Sequence, residues 1–293
     1  MKNIMLAIEQ IGYCCISALL SEIHTTPKPG LVDCLNNGAH KDMDISTFKD
    51  SINAIAPYFY HFAEIGRNLD CIDAVTLDKI RPLGLECEKA MFNATKGVNT
   101  HKGAIFSLGI IAVAAGYCCN ELQDLSADTV CHAVSTIAKA AEKDFLRPYA
   151  SLPMTKGREI YTAYGIRGIR GEAASGFYSV RKYALPVMKE LFFHGEYSDN
   201  DIYLQVLLHL MTQVVDTNVI ARCGIDAIEY VKSSADNILA LGGALSPDGI
   251  RSLFKLDEDF IKRNISPGGC ADLLSVTIAL YRIENLLYHP YSL

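Results

Sequence analysis

Apolar residues recur every three or four positions through most of this chain, and period-2 strands are hard to find anywhere. Residues 3–23 carry Ile4, Ile8, Ile11, Cys15 and Leu19 on one helical face. The next helix is capped by Asp44 or Ser46, buries Phe48, Ile52, Ile55, Phe59 and Phe62, and runs to about Arg67 with Pro57 as a candidate kink. Further helices are predicted over 76–94, with Pro82 and Gly84 weakening the first turn, over 104–120, and from a Ser126 cap through Lys143. Pro148 and Pro153 punctuate the segment after it. Helices are then expected over 155–164, 178–194, 199–214, 225–241 and 248–263, with a last one ending near Leu287. This pattern predicts an all-α fold, a compact array of about a dozen helices forming one domain over residues 1–293.

The helix at 104–120 carries small residues at Ala104, Gly109, Ala112, Ala115 and Gly116, so its neighbours can approach closely. It reads as core rather than interface, and as too short and too rich in Gly and Ala to span a membrane comfortably. The N-terminus is amphipathic and carries Glu9, which fits neither a signal peptide nor a span. The ten cysteines show no C-x-x-C and no zinc spacing, and read as buried small hydrophobes in a reducing compartment. A cytoplasmic protein with no membrane partner is the expectation, its oligomeric state open with a homodimer as candidate.

Between the helices lie five turns that pair glycine with charged or amide residues: 25–44, 96–104, 164–176, 216–224 and 264–274. In a helical array such turns converge at one face, where helix N-termini present free N–H groups to an anion. The active site is therefore expected at converging helix ends, with Gly268 and Gly269 opening the last helix as one such terminus. Net charge is −6, which argues against nucleic acid, yet Lys28, Lys102, Arg167, Arg170 and Arg222 all fall in these turns. That localisation favours a phosphate-rich ligand. Asp33, Asp42, Asp44, Glu172, Asp216 and Asp272 share the same turns, and carboxylates beside phosphate-binding cations point to Mg²⁺. Asp44 and Asp272 read equally as helix-terminus residues. His40 near Asp42, and His101 between Asn99 and Lys102, are acid/base candidates. No P-loop, no dinucleotide G-x-G-x-x-G after a strand, no G-x-S-x-G and no H-E-x-x-H is present.

At these turns the chain resembles the triphosphoribosyl-dephospho-CoA synthase family. The resemblance lies in TPKPGLVD (26–33), GAHKDM (38–43), GVNTHKGAIFSLG (97–109), YGIRGIRGEAASGF (164–177), DTNVIARCG (216–224) and NISPGGCADLL (264–274). Ala221 and Cys223 depart from the family pattern, which leaves the detail around Arg222 open. The resemblance implies transfer of the triphosphoribosyl part of ATP to the ribose 2′-hydroxyl of 3′-dephospho-CoA, with release of adenine. The product would be the precursor of the acyl-carrier prosthetic group of citrate lyase or malonate decarboxylase, loaded by a separate transferase.

On that reading, Lys28, Lys102, Arg167, Arg170 and Arg222 bind phosphates, while Asp33, Asp42 and Asp216 hold Mg²⁺ or supply the base. Glu172 and His101 orient ribose or adenine. His40, Asn99, Asn218, Gly268 and Gly269 complete the substrate-binding set. Two other readings stay open from the residues alone: an Mg²⁺-dependent nucleoside or ADP-ribosyl glycohydrolase with water as acceptor, and a non-catalytic nucleotide-binding helical module.

Overall fold

The computed structural model describes residues 2–73, 75–146 and 155–286; Pro148, Pro153 and Leu287 lie outside them. Among the described residues there are thirteen α-helices and no strand, so the all-α expectation holds. They are α1 (Lys2–His24), α2 (Ile45–Arg67), α3 (Thr76–Ala94), α4 (Lys102–Tyr117), α5 (Ala127–Leu146), α6 (Lys156–Tyr164) and α7 (Gly168–Ala174), then α8 (Leu185–His194), α9 (Asp199–Gln213), α10 (Thr217–Cys223), α11 (Ala227–Ala240), α12 (Pro247–Arg263) and α13 (Gly268–Asn285).

Local chemistry sets the helix starts. Asp44, not Ser46, caps α2: its carboxylate accepts from the Thr47 N–H at 2.8 Å, and the Asp44 N–H donates back to Thr47 Oγ1 at 3.3 Å. Pro57 sits inside α2 without ending it. Ser126 accepts from the Thr129 N–H at the head of α5. The stretch at 178–194 is not one α-helix. It opens with a π-helical turn, Val180–Ala184, before α8, where Pro186 has no N–H to give an α-helical ladder. The blocks at 164–176 and 216–224, read from sequence as turns, each contain a seven-residue helix, α7 and α10.

α4 is the central helix, packed by α1, α2, α3, α5, α7 and α13. A Cβ at Gly116 would overlap the Ala63 carbonyl oxygen, so the α2–α4 crossing depends on that glycine. Together with the π-helical turn at its end, Lys102–Glu121 does reach the length and hydropathy of a membrane span, but 78% of its apolar window is buried inside the molecule. It occupies the position of a core helix. One connected apolar core runs from α1 through α13. Six of the ten cysteines are buried, while Cys34 and Cys71 are exposed and Cys119 and Cys223 lie between. Burial pushes the thiols of Cys14, Cys87, Cys118 and Cys131 up to about 12, as expected of inert core residues.

Candidate active site

The loop between α1 and α2 is folded by its own side chains. The Thr26–Pro27 peptide is cis, and Gly30 has φ +70° with its N–H donating to Asp257 Oδ1 of α12 at 2.8 Å. A Cβ at Gly30 would overlap the Ile265 carbonyl oxygen. Asp33 is buried and accepts from the N–H groups of Lys28, Leu35 and Asn36 at 2.9, 2.8 and 3.1 Å. Both its oxygens thus serve the turn, an Asx arrangement, and it is not on a cavity wall. Asp42 is exposed beside His40, 3.8 Å from its Nδ1, and also stands off the wall.

The loop forms one side of a cavity of about 1160 Å³. The first turns of α4, α6, α7, α10 and α13 all reach this cavity, so helix N-termini do converge there. Every other site residue named from the sequence lines it: Lys28, His40, Asn99, His101, Lys102, Arg167, Arg170, Glu172, Asp216, Asn218, Arg222, Gly268 and Gly269. The volume exceeds the range of roughly 300–1,000 Å³ typical for one drug-sized ligand.

Several of these residues already have partners. Lys28 is buried, its ammonium donating to the Glu22 carboxylate and, at 2.7 Å, to the Glu22 carbonyl. Arg222 donates to the Ala39 carbonyl and, at 3.0 Å, to the Asn264 carbonyl, tying α10 to the 38–43 block and the end of α12. Cys223 Sγ lies 3.2 Å from that same Asn264 oxygen, so the departures flanking Arg222 fall on a packed joint. Lys102 pairs with Glu88 of α3 at 2.7 Å and is half exposed. Glu172 accepts from the Ser179 hydroxyl at 2.6 Å. His40 Nε2 lies 2.8 Å from Ser266 Oγ, and burial with the nearby Arg222 charge lowers its pKa.

Asp216 caps α10 through the Asn218 N–H at 2.7 Å and braces α13 through the Cys270 N–H at 2.9 Å. Burial raises its pKa against those hydrogen bonds. Asp272 stands higher still: burial, then the charges of Glu22 and Asp216, push its carboxyl well above the usual carboxylate range, relieved only in part by the Ala104 N–H of α4. A Cβ at Gly103 would overlap the Asp272 carboxylate, so that glycine lets α4 approach it. Glu22, Asp216 and Asp272 all line the cavity, and the charges of the first two bear on Asp272.

His101 is buried and neutral, its pKa lowered to about 3 by burial and by the Lys28 charge. Thr100 donates its hydroxyl to Ser51 Oγ at 2.8 Å, and Ser51 Oγ lies 2.7 Å from His101 Nδ1. A Ser51 hydroxyl that donates to Nδ1 leaves the ring proton on Nε2. Nε2 has no hydrogen-bond partner among the described residues.

Sequence reasoning missed Glu22, Arg158 and the weight of Asp272. Glu22 sits in an ordinary amphipathic helix, and Arg158 in a short helix outside the five turns. The signal available for Asp272 was its place four residues beyond Gly268, just past a first turn that carries no acidic residue.

No solved structure matches the chain. Among curated relatives, the chain is 42% identical over 266 residues to a probable 2-(5''-triphosphoribosyl)-3'-dephosphocoenzyme-A synthase of Pectobacterium carotovorum, covering 90% of this chain and 86% of that protein. The synthase of Pectobacterium atrosepticum is 42% identical over 265 residues, with 90% and 86% covered. That of Escherichia fergusonii is 40% identical over 262 residues, with 89% and 86% covered. Residues 8–290 match the model of the CitG family, described as ATP:dephospho-CoA triphosphoribosyl transferase. With that match across nearly its whole length, the chain belongs to the ATP:dephospho-CoA triphosphoribosyl transferase family.

Proposed function

We propose that this chain transfers the triphosphoribosyl part of ATP to the ribose 2′-hydroxyl of 3′-dephospho-CoA. The bond from adenine to C1′ of ATP breaks and a bond from C1′ to the 2′-oxygen forms. The hydroxyl proton goes to a base, and adenine leaves carrying the bonding electron pair and picks up a proton. The observation that carries this reading is the convergence of all six sequence blocks on the loop and the large cavity beside it.

ATP reacts here at its anomeric carbon, so its phosphates must be gripped without being cleaved. Arg158, Arg167, Arg170 and Lys102 line the cavity and supply that grip, with the N–H groups at Gly268 and Gly269 opening α13 toward the same space. Lys28 is assigned to holding Glu22 in place, and Asp33 and Asp42 to shaping the loop. Breaking the bond to adenine builds positive charge on the ribose, which the carboxylates of Glu22 and Asp216 on the cavity wall stabilise. Asp272, with its raised pKa, is the base that takes the 2′-hydroxyl proton. His101, neutral and donating through Nε2, orients adenine or ribose. Water must be kept from the ribose during transfer, since it would otherwise intercept C1′.

Among the described residues no group of three or more His, Cys, Asp or Glu is arranged to hold a metal ion alone. The donor set nonetheless suits Mg²⁺, which takes one or two carboxylates together with substrate phosphates. Glu22 and Asp216 would hold it, and bound there it would neutralise triphosphate charge. The product is expected to pass to a separate transferase that loads the acyl carrier.

The test is chromatography of ATP incubated with the protein and MgCl₂, with and without dephospho-CoA. Adenine should form only when the acceptor is present. Adenine release that ignores the acceptor would instead establish a glycohydrolase, and binding of ATP with no adenine would establish a binding module.

A further inference from the structure

Gripping two sets of phosphates explains the polar end of the cavity but not its other arm. That arm is lined by one face of α3 and by α4, where Leu77, Ile80, Phe92, Phe106 and Ile110 are joined by Phe62 of α2 and by Arg81, which pairs with Asp78 at 3.5 Å. The α3 face is interrupted by Gly84, which lines the cavity in the middle of a helix. Glycine weakens a helix relative to alanine, so some other requirement bears on this position. A Cβ built at Gly84 meets nothing within 4 Å, so the glycine leaves open space over the arm. Leu85 beside it is 58% exposed, and the arm therefore opens to solvent at this end.

We propose that this arm receives the pantetheine chain of the acceptor, a proposal that rests on the transfer reading above. Dephospho-CoA differs from ATP in carrying a long, narrow, largely apolar chain that takes no part in the bond exchange. An apolar groove with an open end suits such a chain, because its apolar segments are buried and its thiol can extend outward. An adenine ring fits less well, since most of this wall is phenylalanine, leucine and isoleucine, which give its ring nitrogens no partner. The Glu88–Lys102 pair at the border of the arm offers polar contacts to pantetheine amides.

The test is Gly84→Leu, which extends into the arm from a position where the backbone gains helix propensity and a Cβ meets nothing within 4 Å. Its KM for dephospho-CoA should rise roughly tenfold or more, while its KM for ATP stays within about twofold of wild type. Gly84→Ala should give a smaller rise in the same direction. Both variants should melt at or above the wild-type temperature. ADP, which lacks the pantetheine chain, provides the second arm of the experiment: wild type should prefer dephospho-CoA over ADP as acceptor, and Gly84→Leu should lose that preference. An unchanged dephospho-CoA KM in a folded Gly84→Leu protein, or a rise confined to ATP, would overturn the assignment of the arm. Wild-type protein that releases no adenine with either acceptor would overturn the transfer reading, and the arm's assignment with it.

Discussion

Asp216 Oδ2 accepts a hydrogen bond from the Cys270 N–H at 2.9 Å, joining two helix starts that lie 54 residues apart in sequence. Its other oxygen accepts from the Asn218 N–H at 2.7 Å. One carboxylate thus holds α10 and α13 together where both reach the cavity. Asp216→Asn keeps the shape but turns one of these oxygens into a donor facing an N–H. Unfolding in urea should show a loss of about 1–3 kcal/mol, the cost of one unsatisfied buried donor. Adenine release should fall at least tenfold in the protein that remains folded, and near-normal turnover would remove Asp216 from the site.

Asp272 should behave in the opposite way toward stability. Burial, then the charges of Glu22 and Asp216, disfavours its ionised form. Asp272→Asn takes that unfavourably buried ionisable group out of the interior, so the melting temperature at neutral pH should rise by a few degrees, an increment of roughly 0.5–2 kcal/mol. The same variant should lose about 10²–10⁴-fold in turnover, the usual contribution of a general base. Circular dichroism melts run beside the adenine assay check both signs at once.

The Lys28–Glu22 pair is buried on both sides. Lys28→Met leaves the Glu22 charge alone in the interior and should cost about 3–5 kcal/mol. Adding Glu22→Gln removes that charge, and the double variant should recover most of the loss. Denaturant titrations of the four proteins in the cycle give the coupling directly.

His101 makes stability depend on pH. In the unfolded chain a histidine takes up a proton near 6.5, whereas folded His101 resists it down to about 3. The unfolded state therefore binds more protons between these values, and stability falls as pH falls through that window. Going from pH 7 to pH 5 this one group should remove about 2 kcal/mol. His101→Asn, compared with wild type by urea unfolding at both values, should show that much less pH dependence. An equal slope in the two proteins would mean His101 is charged in the fold.

The helices were legible because their apolar faces repeat, and the cavity was legible because glycines, cations and carboxylates recur together between them. What was not legible had local physical causes. Asp33 reads from TPKPGLVD as a base or metal ligand, but it does not line the cavity, and the N–H groups of Lys28, Leu35 and Asn36 hold its oxygens to the turn. α7 and α10 are seven residues each, too short to show a period through their glycine-rich and polar blocks. Glu22 carries no motif, and only the fold brings it against Lys28 and toward Asp272. Arg222 fits a phosphate clamp by composition, yet its guanidinium ties three segments together through Ala39 and Asn264.

The most direct test of the central claim is the stoichiometry of transfer, read by mass spectrometry of a reaction holding only this protein, ATP, dephospho-CoA and MgCl₂. One adenine should appear for each dephospho-CoA converted to a species heavier by one triphosphoribosyl group, with all three phosphates of ATP retained. Adenine accompanied by free ribose triphosphate, with dephospho-CoA unchanged, would contradict it.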